Sequence, residues 1–142
     1  MSTVSPFHLA IPVDNLSVCR SFYRDVLGCK EGRSSSHWVD FNFFGHQFVL
    51  HEKPEETTAP KKVYNEVDGH QVPVPHFGVV LEWNQWQALK EKLTNHRIHF
   101  IIEPYIRFKG EAGEQATMFF IDPEGNALEF KSFKNIDNLF AL

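Results

Sequence analysis

Apolar and polar positions alternate along Phe7-His8-Leu9-Ala10-Ile11. Phe7, Leu9 and Ile11 fall on one face and His8 and Ala10 on the other, which predicts a half-buried strand. The period then lengthens: Leu16, Cys19, Phe22, Tyr23, Val26 and Leu27 recur at helical spacing behind a cap at Asp14 or Asn15. Gly28 ends that helix, because glycine tolerates the left-handed conformation found there. A short strand is predicted within 28–36, a second alternating strand over 38–43, a turn at Gly45-His46, and a third strand over 47–51.

The second half repeats this order. Residues 76–81 place Phe77, Val79 and Leu81 on one face, with His76 and Gly78 on the other. Asn84 and Gln87 are spaced as a capping box ahead of a helical stripe of Trp86, Leu89 and Leu93. Strands over 98–103, 117–121 and 126–130 follow, with a polar loop over 105–115, a turn at 122–125 and a short terminal helix over 135–142. Each half reads β-α-β-β-β. The expected architecture is α+β: paired βαβββ modules at about 5–52 and 74–132, with curved mixed sheets inside and helices outside. A polar, proline-containing linker over 53–73 joins them into one domain.

Composition narrows the possibilities. The 142 residues include 14 Phe, ample material for a core. The net charge of −4 disfavours a nucleic-acid surface. No apolar run approaches the roughly 20 residues of a membrane-spanning helix, and residues 1–6 lack the basic and apolar regions of a secretory leader. Cys19 and Cys29 have no metal-type spacing, so a reducing, cytoplasmic setting is expected.

The unusual residue is histidine, present eight times. Superposing the halves sets His8 on His76. Each opens a strand on the face that carries a small residue two positions on, Ala10 or Gly78, leaving space beside the imidazole. The alternative is a pair of ordinary histidines satisfied in the core or at the surface. In 126–131, Leu128 and Phe130 face one way and Ala127, Glu129 and Lys131 the other. Glu129 is then either a solvated strand glutamate or a carboxylate projecting toward the histidines, where it requires a cation. Two imidazoles and one carboxylate make a facial triad suited to Fe(II) or Mn(II), with Ni(II), Co(II) or Zn(II) as further possibilities. A closed zinc site would want a fourth ligand, preferably sulfur.

The paired modules, the opening Phe7-His8-Leu9-Ala10-Ile11-Pro12-Val13, the helix Ser21-Phe22-Tyr23-Arg24-Asp25-Val26-Leu27-Gly28 and the closing Asp122-Pro123-Glu124-Gly125-Asn126-Ala127-Leu128-Glu129 resemble the vicinal oxygen chelate superfamily. That group includes glyoxalase I, extradiol dioxygenases, fosfomycin-resistance thiol transferases and bleomycin-binding proteins. More narrowly, the chain resembles small stand-alone proteins labelled glyoxalase-like or predicted extradiol dioxygenases. The resemblance implies metal ligation by His8, His76 and Glu129, a small-molecule substrate and a homodimer, with modules paired within a chain or swapped between two.

Resemblance also separates the chemistries. Glyoxalase-type members carry a fourth ligand on the last strand of the first module. Aligning Gly45 on Gly125 puts Val49 there, whereas aligning Leu50 on Leu128 puts His51 there. Neither is a second carboxylate, which disfavours a lyase or isomerase acting through an enediolate. The expected activity is therefore that of an oxidoreductase resembling extradiol dioxygenases, acting on a catechol-like substrate with O₂. The extradiol signature has a tyrosine where this chain has Phe119, and an upstream histidine absent from 109–115. Tyr105, Lys109, His51 or His70 must then supply the hydrogen-bonding and acid–base role, each with a plain surface role as the alternative. Arg107 and Phe119 are the expected substrate contacts, Arg107 with Lys109 as receivers of a carboxylate or phenolate, the alternative being a solvated hairpin loop of balanced charge. The third alternative is a metal-containing binding protein without turnover.

Overall fold

The structure, a computed structural model, describes residues 4–54 and 63–142. Residues 1–3, and residues 55–62 of the expected linker, lie outside the described residues. Two compact units divide the chain, residues 1–59 and 60–142.

In the first unit, strands β1 (His8–Val13), β2 (Lys30–Ser34), β3 (Trp38–Phe43) and β4 (His46–Glu52) form a sheet of order β1-β4-β3-β2, with β1 parallel to β4. The alternation seen in the sequence sets its faces. Val13, Val39, Phe41, Phe43, Phe48 and Leu50 are buried, as are Leu16, Cys19, Phe22 and Tyr23 of the helical segment. The Tyr23 ring lies 4.8 Å from Phe48 and 6.0 Å from Phe41, joining helix to sheet through aromatic contacts. Helix α1 (Leu16–Ser21) is capped by the Asn15 side chain, which accepts from the Val18 N–H at 3.1 Å. The helix widens into a π-helical turn at Phe22–Val26 and ends at Gly28, whose φ is 74°. Arg20 and Glu31 tie α1 to β2 through two hydrogen bonds of 2.6 and 2.8 Å.

The second unit repeats the pattern. Strands β7 (His76–Phe77), β8 (Phe100–Arg107), β9 (Gln115–Ile121) and β10 (Ala127–Phe133) form a sheet of order β7-β10-β9-β8, with β7 parallel to β10. Helix α2 (Trp83–Asn95) buries Trp86, Leu89 and Leu93 as expected. Its indole N–H at Trp86 donates to the Phe130 carbonyl at 2.9 Å. The capping box is formed by Glu82 and Gln85 rather than Asn84 and Gln87, because the helix begins at Trp83.

Several boundaries depart from the sequence reading. The strand expected over 76–81 breaks after Phe77, since Gly78 passes too close to the Glu129 backbone to continue regular pairing. It rejoins β10 through a bridge between Val80 and Lys131. Strand β8 runs on to Arg107, so Tyr105 and Arg107 are strand residues and the loop shrinks to 108–114. Pro104 obscures this in the sequence: it lacks an N–H, and the ladder shifts register between Ile102 and Tyr105. Only a 3₁₀ turn, Ile136–Asn138, stands in the expected terminal helix.

The expected linker contains a hairpin, β5 (Val63–Val67) and β6 (His70–Val74), closed by Asp68 and Gly69 at φ 49° and 79°. An Asp-Gly pair between alternating apolar residues is the sequence signature of this turn. The hairpin folds onto its own unit: Val72 is buried in a cluster with Ile102, Phe119 and Ala127. Among the described residues, no helix is long and apolar enough to cross a membrane.

Candidate functional site

His76 and Glu129 meet on the face of the second sheet that the hairpin partly covers. His76 opens β7 opposite Ala127, and Glu129 lies two residues further along β10. The His76 Nδ1 lies 2.8 Å from the carbonyl oxygen of Pro73, in the hairpin strand β6. A carbonyl only accepts, so Nδ1 carries the proton it donates. In the neutral ring this leaves the lone pair on Nε2, which lies 3.5 Å from Glu129 Oε2. Phe119, which is buried, holds the imidazole by an edge contact at 4.8 Å.

Glu129 is held from its other oxygen. Oε1 accepts from the Thr117 hydroxyl at 3.1 Å and lies 3.4 Å from Lys131 Nζ. Thr117 and Lys131 are partners across β9 and β10, so the register of the two strands sets this arrangement. The remaining oxygen and the His76 nitrogen are thus two electron-pair donors turned toward each other. That donor set fits two ligands of a divalent cation, with a backbone carbonyl and a hydroxyl orienting them from behind. Among the described residues, no group of three His, Cys, Asp or Glu is gathered closely enough to hold an ion alone.

His8 lies in the first unit, exposed at the start of β1, with Nδ1 2.8 Å from Gln47 Oε1. The amide oxygen accepts, so His8 and His76 share a tautomer that presents Nε2. Gln47 is the cross-strand partner of His8, as Ala127 is of His76. Two residues beyond these partners stand Val49 and Glu129. The register therefore matches Val49, not His51, to Glu129, which decides between the two alignments the sequence leaves open. Val49 is buried. His51 is exposed and pairs with Trp38 across β3 and β4.

Gly78 has a different role from the space-leaving one read from sequence. A β-carbon there would lie 1.6 Å from the Glu129 carbonyl oxygen, so glycine permits the approach of β7 to β10.

The remaining expected residues scatter around β8. Tyr105 donates its hydroxyl to Asp68 Oδ2 at 3.1 Å, and Arg107 Nε lies 2.7 Å from the same oxygen. Burial raises the Tyr105 phenol above its ordinary range, and the hydrogen bond and negative charge of Asp68 add to the rise; Arg107 opposes it. A cavity of about 650 Å³ opens here, walled by Ile101, Ile102, Ile106 and Phe108. Lys109 lies in the exposed loop beyond it. Phe119 is beneath Val72 rather than at an open wall. The sequence reading missed Asp68, Thr117 and Gln47; the Asp-Gly turn signal could have located the first.

A sequence profile of the Glyoxalase/Bleomycin resistance protein/Dioxygenase superfamily matches residues 5–130. The crystal structure of a glyoxalase/bleomycin resistance protein/dioxygenase from Alicyclobacillus acidocaldarius is 30% identical with a TM-score of 0.74, over 96% of each chain. A lactoylglutathione lyase from Agrobacterium tumefaciens is 17% identical, TM-score 0.64, over all of both chains. A glyoxalase/dioxygenase from Nostoc punctiforme is 16% identical, TM-score 0.67, over 95% of this chain and 99% of that one. At such identities the last two share the fold alone. No curated protein matches.

Proposed function

Since this chain belongs to the Glyoxalase/Bleomycin resistance protein/Dioxygenase superfamily, we propose that it is a metal-dependent oxidoreductase of extradiol type. Its substrate would be a small molecule with two adjacent oxygens, its co-substrate O₂. His76 and Glu129 would hold the metal, with His8 as the third donor by the superfamily pattern. The observation that carries this reading is Val49 at the position matching Glu129. A two-histidine, one-carboxylate set leaves neighbouring coordination positions for substrate and O₂. Enediolate chemistry would instead want a second carboxylate there, and valine neither ligates nor moves a proton.

A bound Fe(II) would supply Lewis-acid polarisation of adjacent oxygens and one-electron reactivity toward O₂. The protein groups have separate tasks. Thr117 and Lys131 engage Glu129 Oε1 and so keep Oε2 turned toward His76. The Pro73 carbonyl and Phe119 fix the imidazole plane. Tyr105, favoured as a phenol by burial, serves as a hydrogen-bond donor rather than a base. Lys109 and His51 are the proposed proton-handling groups. A homodimer in the cytoplasm completes the proposal.

The test is reconstitution with Fe(II) under argon, followed by oxygen uptake with a catechol panel. Consumption dependent on metal and catechol is expected. No uptake with any catechol, together with turnover of a hemithioacetal under Ni(II) or Co(II), would replace this reading with a lyase.

A further inference from the structure

We infer that Arg107 and Tyr105 form a receptor for the carboxylate of a small organic acid, and that Asp68 of the hairpin tip fills it while no acid is bound. As a statement of substrate class this rests on the metal-site reading above; as a binding site it stands on the geometry alone.

Tyr105 and Arg107 are two residues apart on β8, opposite Thr117 and Gln115 of β9. Their donors converge on a single carboxylate oxygen, at 3.1 and 2.7 Å. That oxygen comes from a different element, delivered by a two-residue turn in which Asp68 adopts φ 49°. The guanidinium packs on the Phe108 ring at 5.1 Å, which fixes its direction without using its hydrogen-bonding edge. A guanidinium and a phenol aimed at one point select an anionic oxygen over a neutral group. Ile101, Ile102 and Ile106 along the cavity of about 650 Å³ would take an apolar body attached to that anion. Thr117, opposite Tyr105, also holds Glu129, so the receptor lies one strand from the proposed metal ligand.

An acid entering the receptor must displace Asp68, and the hairpin tip is then released from β8. Asp68 is an internal competitor, and its removal strengthens binding by the reciprocal of the fraction of time the receptor is open.

Benzoate, hexanoate and benzamide are titrated into the full-length, metal-free protein and followed by backbone amide shifts in residues 66–70. Asp68→Asn is expected to bind benzoate or hexanoate about tenfold tighter than the unmodified protein. Arg107→Gln is expected to bind neither acid, and benzamide to bind no variant. In the unmodified protein, saturating acid should speed amide exchange at the Val67 and His70 pair that closes the turn, a readout that needs no variant to fold. The inference is overturned if Asp68→Asn gains no affinity, if benzamide binds as well as benzoate, if Arg107→Gln retains binding, or if exchange at the turn is unchanged or slowed. Because metal is absent, failure here leaves the Fe(II) test untouched, and failure of that test leaves this one standing.

Discussion

The Glu129 carbonyl oxygen fills the space that a side chain at Gly78 would need, with a β-carbon there only 1.6 Å away. The glycine thus joins two functions, closing β7 onto β10 and setting His76 beside Glu129.

Gly78→Ala should force the strands apart. Backbone cannot yield as a flexible side chain would, so a loss of about 3 kcal/mol is expected from overpacking. Denaturant unfolding measures it, and a change within about 0.5 kcal/mol, the range of ordinary surface substitutions, would contradict the close approach.

Tyr105 should resist ionisation. Its phenol is raised first by burial and then by Asp68, so the folded state favours the neutral form relative to the unfolded chain. That contribution is present at neutral pH and is lost as pH rises through the raised value. Tyrosinate absorbance, with Tyr105→Phe identifying the transition, should show Asp68→Asn lowering it. An unmoved transition would separate Tyr105 from Asp68.

Glu31 should make the first unit acid-sensitive. Hydrogen bonds from Arg20 chiefly hold its carboxyl below the ordinary range, assisted by the charges of Arg20 and Arg24. A lowered folded-state value means stability that is present above the ordinary carboxylate range and lost as pH falls through the lowered one. The pair is partly exposed, so about 1 kcal/mol is expected at neutral pH. Glu31→Gln should remove that part of the pH dependence in urea unfolding, and an unchanged acid limb would refute it.

Much of this was legible in the chain itself. The stripes of Phe22, Tyr23, Trp86 and Leu93 report burial on one face, which tertiary packing enforces wherever a sheet meets a helix, whereas the alternation around His8 overstates it: Leu9 and Ile11 are half-buried and Phe7 is 65% exposed. Glu129 was legible for the same reason, as the polar member of an apolar run. Pairing register was not. Sequence left Val49 and His51 as equal matches to Glu129, because turn glycines and strand leucines align differently; hydrogen-bonded partners of β1 and β4 resolve this. Pro104 masked the continuation of β8, and a polar composition masked the hairpin carrying Asp68, although its turn residues were in plain view.

Manganese binding followed by electron paramagnetic resonance bears most directly on the ligand set, since bound Mn(II) loses the sharp signal of the free ion. One Mn(II) per chain is expected for the unmodified protein, and Glu129→Ala should weaken it about a hundredfold or more, beyond the 10- to 100-fold typical of a supporting residue. Binding of equal strength in Glu129→Ala would contradict the account.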